Sequence, residues 1–359
     1  MRNIKLIKGL AVGIILLFVG TCIIPSTAQY IEKPSFPTSR GNWLYVGGSG
    51  PGNYSRIQDA INNSNNGDTV YVYDDSSPYY EHIVITSSIN LTGENKETTI
   101  IDGNRGNPLQ SVVLLAKSAS LVTIQGFTIK HGFDGISTEF ESNNNTITRN
   151  IISNNDYGIY LDDGSFNNTI TDNLVTSNNR EGIGLLWGCN NTIMGNNITS
   201  NNDTGISLFG GCCHNIIKNN NIQNNGVGIH LYEVCNFNII TGNSISKNSV
   251  ASIELFASYE NIIECNNIEV LGFLGSTKNL IRKNNFIGNI RHVYCYALGR
   301  NIWDANYWDN WIGLKFNWSI VQKFPKILVC WLLPIPPGVG NIPYFNFDWH
   351  PAQEPYDIG

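Results

Sequence analysis

The clearest hydrophobic pattern in the chain is a repeat of aliphatic residues from about Ser142 to Arg300. One register aligns seven segments, each with an inward aliphatic residue at the same place. These anchors are Ile147, Ile170, Ile193, Ile217, Ile240, Ile263 and Ile281, at intervals of 23, 23, 24, 23, 23 and 18 residues. A period this regular predicts a solenoid, in which each repeat packs on the next.

The residues around the anchors indicate strands. Runs such as T-I-T and G-I-Y-L alternate aliphatic and polar positions with a period of two. Every anchor is followed three residues later by asparagine, at Asn150, Asn173, Asn196, Asn220, Asn243, Asn266 and Asn284. Stacked about 4.8 Å apart, these amides would form a hydrogen-bonded ladder, and we expect them to turn left-handed corners. The prediction is an all-β parallel β-helix of about 23-residue coils.

These repeats resemble those of the right-handed parallel β-helix (pectate-lyase-like) superfamily. They are most similar to NosD-like and carbohydrate-binding and sugar-hydrolase (CASH) proteins, which are abundant as secreted proteins of archaea. The segment 47–104, which begins GGSGPGNYSRIQDAINN, resembles the N-terminal entry of these proteins. The resemblance implies a fold but no single activity, because the superfamily includes lyases, hydrolases, epimerases, adhesins and copper-maturation factors.

The first 28 residues are predicted to be a signal peptide. Arg2, Lys5 and Lys8 precede an apolar run, and Ser26-Thr27-Ala28 is a small-residue cleavage site. An uncleaved anchor helix is the alternative. We expect a secreted or cell-surface protein with no transmembrane span in the mature chain. Nine N-x-S/T sequons are compatible with a glycoprotein.

The rest of the chain divides into four predicted parts. An extended lead-in occupies residues 29–46, and the N-terminal cap and first coils occupy 47–111. Regular repeats fill 112–300, and an aromatic, proline-rich C-terminal cap fills 301–359. A cap would cover the bare strand edges and open core of the solenoid.

An amphipathic helix is predicted within residues 54–65. It would place Ile57, Ala60 and Ile61 on one face, with Ser55 as the N-cap. In the resembling superfamily, such a helix covers the N-terminal end of the core.

Charge limits the classes of partner. Only 14% of residues are charged and the formal net charge is −6, so we expect no nucleic-acid partner. No cofactor is predicted. A surface glycan or another cell-envelope protein is the expected partner.

Cysteines recur at the same period as the anchors. Cys189, Cys212 and Cys235 are 23 residues apart and are predicted to form one column, with Cys213 and His214 beside it. Stacked coils would allow an inter-coil disulfide. A stack of buried free thiols is the interpretation we favour, and a soft-metal site, suggested by the copper association of NosD, is a third.

The third strand of each coil carries the candidate site. Its outward residues form two columns: Tyr160, Gly184, Ser207, His230, Glu254, and Asp162, Leu186, Phe209, Tyr232, Phe256. Aromatic platforms beside polar groups suit a sugar ring, so the predicted ligand-binding face comprises Tyr160, Asp162, Phe209, His230, Tyr232 and Glu254.

Hydrolysis of a polysaccharide would need a pair of carboxylates. Lyase chemistry would need a cation, an arginine or a lysine to stabilise the deprotonated intermediate. The candidates are Asp162, Asp163 and Glu254, with Asp134 a further acid, and each is also explained as a solvated turn residue. The prediction is therefore a non-catalytic exported scaffold that binds carbohydrate. A polysaccharide-active enzyme and a NosD-like copper-handling protein are the alternatives.

Overall fold

The computed structural model describes residues 41–104, 109–117, 119–289, 292–296, 300–310, 326–331, 343–348 and 350–358. The predicted signal peptide and the lead-in up to residue 40 lie outside this set. No helix within these ranges is long and apolar enough to cross a membrane.

The described chain winds as a parallel β-helix, and its strands stack on three faces. The first face contains β1 (Trp43–Val46), β2 (Thr69–Val72), β4 (Asn90–Gly93), β7 (Thr123–Gln125), β10 (Thr146–Thr148), β13 (Thr169–Thr171), β16 (Thr192–Met194), β19 (Ile216–Lys218), β22 (Ile239–Thr241), β25 (Ile262–Glu264), β28 (Leu280–Arg282), β31 (Ile302–Asp304) and β34 (Pro343–Asp348). The second face contains β5 (Ile100–Asp102), β8 (Thr128–Lys130), β11 (Ile151–Ser153), β14 (Leu174–Thr176), β17 (Asn197–Thr199), β20 (Asn221–Gln223), β23 (Ser244–Ser246), β26 (Asn267–Ile268), β29 (Asn285–Phe286) and β32 (Tyr307–Trp308). The third face contains β3 (Ile83–Ile85), β6 (Val113–Leu115), β9 (Asp134–Thr138), β12 (Tyr157–Leu161), β15 (Ile183–Leu186), β18 (Thr204–Phe209), β21 (Val227–Tyr232), β24 (Ala251–Phe256), β27 (Leu271–Leu274), β30 (Val293–Tyr296) and β33 (Lys326–Trp331).

The register predicted from the anchors is confirmed. Ile147 pairs with Ile170, Ile170 with Ile193, and the same column continues to Ile281. The anchors are 0–1% exposed. The aliphatic residues of all three faces therefore fill one continuous core, and no coil could bury its own apolar side chains alone.

The predicted helix is shorter than expected and is capped differently. Helix α1 (Ile57–Asn62) buries Ile57, Ala60 and Ile61, as its pattern indicated. The N-cap is Arg56, which makes no side-chain capping bond, so the assignment to Ser55 was wrong. The buried carboxylate of Glu81 accepts the backbone N–H groups of Ile57 and Gln58 at 2.8 and 3.1 Å. A residue 24 positions away thus satisfies the helix end that a local cap would satisfy.

Asparagine ladders run along the corners between the faces. The ladder predicted from Asn150 to Asn284 is present: Asn173 donates its backbone N–H to Asn196 Oδ1 at 3.0 Å, and its side chain donates to Ile147 O at 2.9 Å. A second follows Asn155, Asn178, Asn201, Asn225 and Asn248. A third, which the sequence analysis did not recognise, follows Asn145, Asn168, Asn191, Asn215, Asn238, Asn261, Asn279 and Asn301.

The left-handed corner residue is not the ladder asparagine, which corrects the expectation above. It is the residue before it: φ is 54° at Arg149, 56° at Asp172 and 53° at Asn219. The left-handed residue turns the backbone at the corner. The asparagine that follows it is then aligned, along the solenoid axis, with the asparagines of the neighbouring coils. Because arginine, lysine and cysteine also occupy this position, residue type alone did not reveal it.

The coils continue past Arg300 and end on an aspartate. β31 and β32 add a further rung, and β33 pairs antiparallel with β34. Asp348 Oδ2 accepts Asn306 N and Nδ2 at 3.0 Å and Trp308 Nε1 at 3.1 Å. The fully buried Asp348 side chain therefore terminates the ladder with an acceptor-only group.

Candidate functional site

A groove runs along the outer surface of the third face. It contains two cavities that meet at Tyr157 and Tyr160. The first, of about 350 Å³, is lined by Leu114, Phe133, Asp134, Ser137, Thr138, Glu139, Tyr157, Tyr160 and Asp162. The second, of about 290 Å³, is lined by Tyr157, Tyr160, Glu181, Leu185, Ser207, Phe209, His230 and Tyr232. We call these together the third-face groove.

The strand register places two outward columns of side chains along the groove. Tyr160 pairs with Gly184, Gly184 with Ser207, and Ser207 with His230, so these side chains share one outward column. The neighbouring column stacks aromatic rings: Phe209 lies 5.3 Å from Tyr232, at an interplanar angle of 10°. Phe256 continues the stack at 4.8 Å from Tyr232. The three half-exposed rings cover one another's faces and present a continuous apolar edge to the groove, against which the apolar side of a pyranose could pack.

Two carboxyl groups lie on either side of Tyr160 in the groove. Asp134 pairs in register with Tyr157, and Glu181 lies two positions before Ile183, which pairs with Ile159. The two acids therefore occupy rungs two steps apart, about 10 Å by strand spacing. Asp134 accepts the Ser111 hydroxyl at 2.8 Å. A Cβ built on Gly184 would lie 2.6 Å from Glu181 Oε2 and 2.8 Å from Tyr160 Cδ2, so the glycine leaves room for both side chains.

Burial shifts the ionisation of these groups. Desolvation raises the pKa of Asp134 to about 6, against the opposing hydrogen bonds of Ser111 and Ser137. Desolvation likewise raises the pKa of Glu181 to about 7, and Ser207 opposes it. The pKa of Tyr160 rises to about 12, first through burial and then through the charge of Glu181. The groove therefore holds carboxyl groups that exchange protons near neutral pH.

A histidine and a third carboxylate extend the polar column. His230 Nε2 lies 3.7 Å from Glu254 Oε2. Tyr294 donates its hydroxyl to Glu254 Oε1 at 2.7 Å. Burial lowers the pKa of His230, and the carboxylate of Glu254 acts in the opposite direction. Burial has the larger effect on the pKa of His230, because the two groups are 3.7 Å apart rather than hydrogen-bonded.

The residues named from sequence are placed as follows. Tyr160, Phe209, His230 and Tyr232 line the second cavity, and Asp162 lines the first. Glu254 borders them through His230. Asp163, by contrast, is exposed at a turn and lines neither cavity.

Sequence analysis missed Glu181 and Tyr157 and named Asp134 only as a further candidate acid. All three belong to a column two residues before the inward aliphatic of the third strand. That register was available in the sequence. The burial of Glu181 was not, because it depends on how closely Tyr160 approaches Gly184 at the next rung.

The predicted single column of Cys189, Cys212 and Cys235 was wrong. The coil between the anchors Ile193 and Ile217 has 24 residues, so Cys189 aligns with Cys213, and the two form a disulfide with a Cα–Cα distance of 4.7 Å. Cys212 and Cys235 are free thiols buried in the core, as the favoured interpretation expected of them. His214 is exposed and stacks on Phe237 at 5.3 Å. The five residues proposed for a soft-metal site are thus divided among a disulfide, the core and the surface.

Comparison with known proteins agrees with this architecture. The family model described as "Periplasmic copper-binding protein (NosD)" matches residues 57–252 and 209–313. The chain therefore belongs to the NosD family. No curated protein matches it.

Several solved structures share the right-handed parallel β-helix. The mannuronan C-5 epimerase AlgE6 A-module of Azotobacter vinelandii is 15% identical, with 70% of this chain and 88% of that chain covered and a TM-score of 0.54. Pectate lyase Pel9A is 16% identical, with 77% and 81% covered and a TM-score of 0.51. XylC in complex with xylose is 12% identical, with 72% and 69% covered and a TM-score of 0.56. At these identities the likeness establishes the fold alone.

Proposed function

We propose that the protein is an exported β-helix that binds an uncharged saccharide chain along the third-face groove. The observation that carries the proposal is the groove itself: two adjoining cavities lined by Tyr157, Tyr160, Phe209 and Tyr232 together with hydroxyl and carboxyl groups. Aromatic faces contact the apolar faces of sugar rings, and the carboxyl and serine side chains bond ring hydroxyls. Several structures of the same fold are named for saccharides, which is compatible with this use of the scaffold.

The charged residues of the groove favour a neutral saccharide over an anionic one. No lysine or arginine lines either cavity within the described chain. Arg180 reaches the groove only at its rim, where it donates to the Tyr157 hydroxyl at 2.7 Å. A polyuronate would bring its carboxylates close to Asp134, Asp162 and Glu181 without a compensating cation. A neutral chain avoids this repulsion.

Copper handling, which the family description suggests, fits the described residues less well. No group of three or more histidine, cysteine, aspartate or glutamate side chains within the described ranges is arranged to hold a metal ion. The Cys189–Cys213 disulfide removes two thiolates from the candidate soft ligands. The described residues therefore do not fit a copper site.

Calorimetric titration with neutral and uronate oligosaccharides tests the proposal. Tyr160→Ala combined with Tyr232→Ala should weaken binding of a neutral oligosaccharide by tenfold or more, because two aromatic side chains that line the groove are lost. The matched control is Thr171→Ala with Lys218→Ala, two outward residues of the first face. Equal affinity of wild type and the groove variant, or loss of binding in the control alone, would contradict the assignment of the face.

A further inference from the structure

Ser207, His230 and Glu254 occupy successive rungs of one outward column. Ser207 on β18 pairs with His230 on β21, and His230 pairs with Glu254 on β24. Neighbouring strands are about 4.8 Å apart, so the side chains of successive rungs lie side by side. A hydroxyl, an imidazole and a carboxylate therefore follow one another on three adjacent rungs, although the residues are more than 20 positions apart in the sequence.

The carboxylate end of this column is held in place. Glu254 Oε1 accepts the Tyr294 hydroxyl at 2.7 Å, and Oε2 faces His230 Nε2 at 3.7 Å. Tyr294 reaches Glu254 across the rung of Gly272, where a Cβ would lie 2.3 Å from the tyrosine Cζ. The glycine thus permits a contact that fixes one carboxylate oxygen and leaves the other to orient the imidazole.

The hydroxyl end opens into the groove. Ser207 and His230 both line the second cavity, beside Tyr160 and Glu181. The Glu181 carboxyl lies within hydrogen-bonding reach of the Ser207 hydroxyl. Because Glu254 Oε2 faces His230 Nε2, Nδ1 is the ring nitrogen left for Ser207 on the adjacent rung. This is the order of nucleophile, base and orienting group that acyl transfer requires.

We propose that Ser207, His230 and Glu254 hydrolyse O-acyl ester substituents of the saccharide held in the third-face groove. The saccharide part of this inference rests on the proposed function, whereas the ester chemistry rests on the column alone. Ser207 is the nucleophile, His230 the general base, and Glu254 a positioning residue whose own orientation depends on Tyr294.

The reaction balances without an external oxidant or reductant. Ser207 Oγ forms a bond to the ester carbonyl carbon while its proton passes to the free nitrogen of His230. Collapse breaks the ester C–O bond, and His230 returns the proton to the departing sugar hydroxyl. Water then attacks the acyl-serine, with His230 taking and returning a proton, and releases a carboxylic acid.

Two measurements on the full chain test this inference. A fluorophosphonate probe followed by peptide mass spectrometry should label Ser207, and acetate should be released from O-acetylated xylo-oligosaccharides and from 4-nitrophenyl acetate. Ser207→Ala should lower the rate at least a hundredfold and abolish labelling. Ser153→Ala is the matched control, since that serine is equally buried on the second face, and it should leave rate and labelling unchanged.

The positioning role of Glu254 is tested by the pH dependence of the hydrolysis rate. Glu254→Gln should move the acidic limb of the pH–rate profile to lower pH, because it removes the charge that favours protonated His230. An unshifted limb would contradict this role. Absence of both Ser207 labelling and ester hydrolysis in wild type, or full activity in Ser207→Ala, overturns the inference. If wild type shows no ester hydrolysis but binds a neutral saccharide, the proposed function stands. If wild type hydrolyses the aryl ester but binds no saccharide, only the saccharide assignment is wrong.

Discussion

The corners and the third-face groove are built from the same coils but follow opposite rules. At the corners, one residue type recurs on rung after rung, as Asn150, Asn173 and Asn196 do, and each side chain is bonded to its neighbours above and below. In the groove, successive rungs of one column carry Tyr160, Gly184 and Ser207, three different chemistries. Repetition stabilises a solenoid because every rung makes the same bonds. Variation leaves one face free to gather a site.

This contrast predicts that corner substitutions change stability without changing binding, and that groove substitutions change binding, with an effect on stability only where they remove a buried carboxyl group.

Asp348→Ala should destabilise the protein most. The change leaves the N–H groups of Asn306 and Trp308 without their buried acceptor, at about 1–3 kcal/mol for each unsatisfied group. Thermal unfolding followed by circular dichroism should show a strongly lowered Tm. Asp348→Asn, which keeps one acceptor oxygen, should lose much less, and similar Tm values for the two variants would contradict the proposed end of the ladder.

Asn196→Leu should destabilise the middle of the solenoid by about 2–4 kcal/mol. It removes the acceptor of Asn173 N and the donor to Ile170 O, two buried backbone groups. The neighbouring Asn197→Leu is the control, because Asn197 is exposed on the second face. A Tm unchanged by Asn196→Leu, or equal losses in both variants, would sink the ladder account, and saccharide binding should survive in each.

Gly184→Ala should weaken saccharide binding about tenfold, or about 1.4 kcal/mol, and leave Tm nearly unchanged. Its Cβ would displace the Glu181 carboxylate and the Tyr160 ring, both ends of movable side chains. Calorimetric titration and thermal unfolding together check this expectation. A lowered Tm with unchanged affinity would mean that Gly184 belongs with the structural positions.

Glu181→Gln should raise Tm modestly at pH 8 and change it little at pH 5. The pKa of Glu181 is raised in the folded state from 4.5 to about 7, so the folded protein binds the proton more tightly than the unfolded chain. Its contribution to stability is therefore greatest at low pH and falls as pH rises from about 4.5 through 7. Tm of both proteins measured from pH 5 to 8 should converge at the acidic end. A difference that is constant across this range would contradict the buried-carboxyl account.

The sequence determined the parts of this structure that repeat. The spacing of Ile147, Ile170 and Ile193 defined the strand register, and the inward column of the third strand followed from the same period. The outward columns containing His230 and Tyr232 were therefore predictable as well. A repeat shows the same hydrophobic pattern in many coils, so an ambiguous assignment in one coil did not change the predicted strand register.

The tertiary structure decided the features that depend on the residues of one coil rather than on the repeat. One additional residue in a coil set Cys189 against Cys213 instead of Cys212. A carboxylate from the first coils, Glu81, capped α1 in place of Ser55. The burial that raises the pKa of Glu181 arises where Tyr160 lies over a rung that has no side chain. Periodicity specifies which residues stack, whereas desolvation and contact across rungs depend on side-chain volumes at particular neighbours, and only the folded chain brings those together.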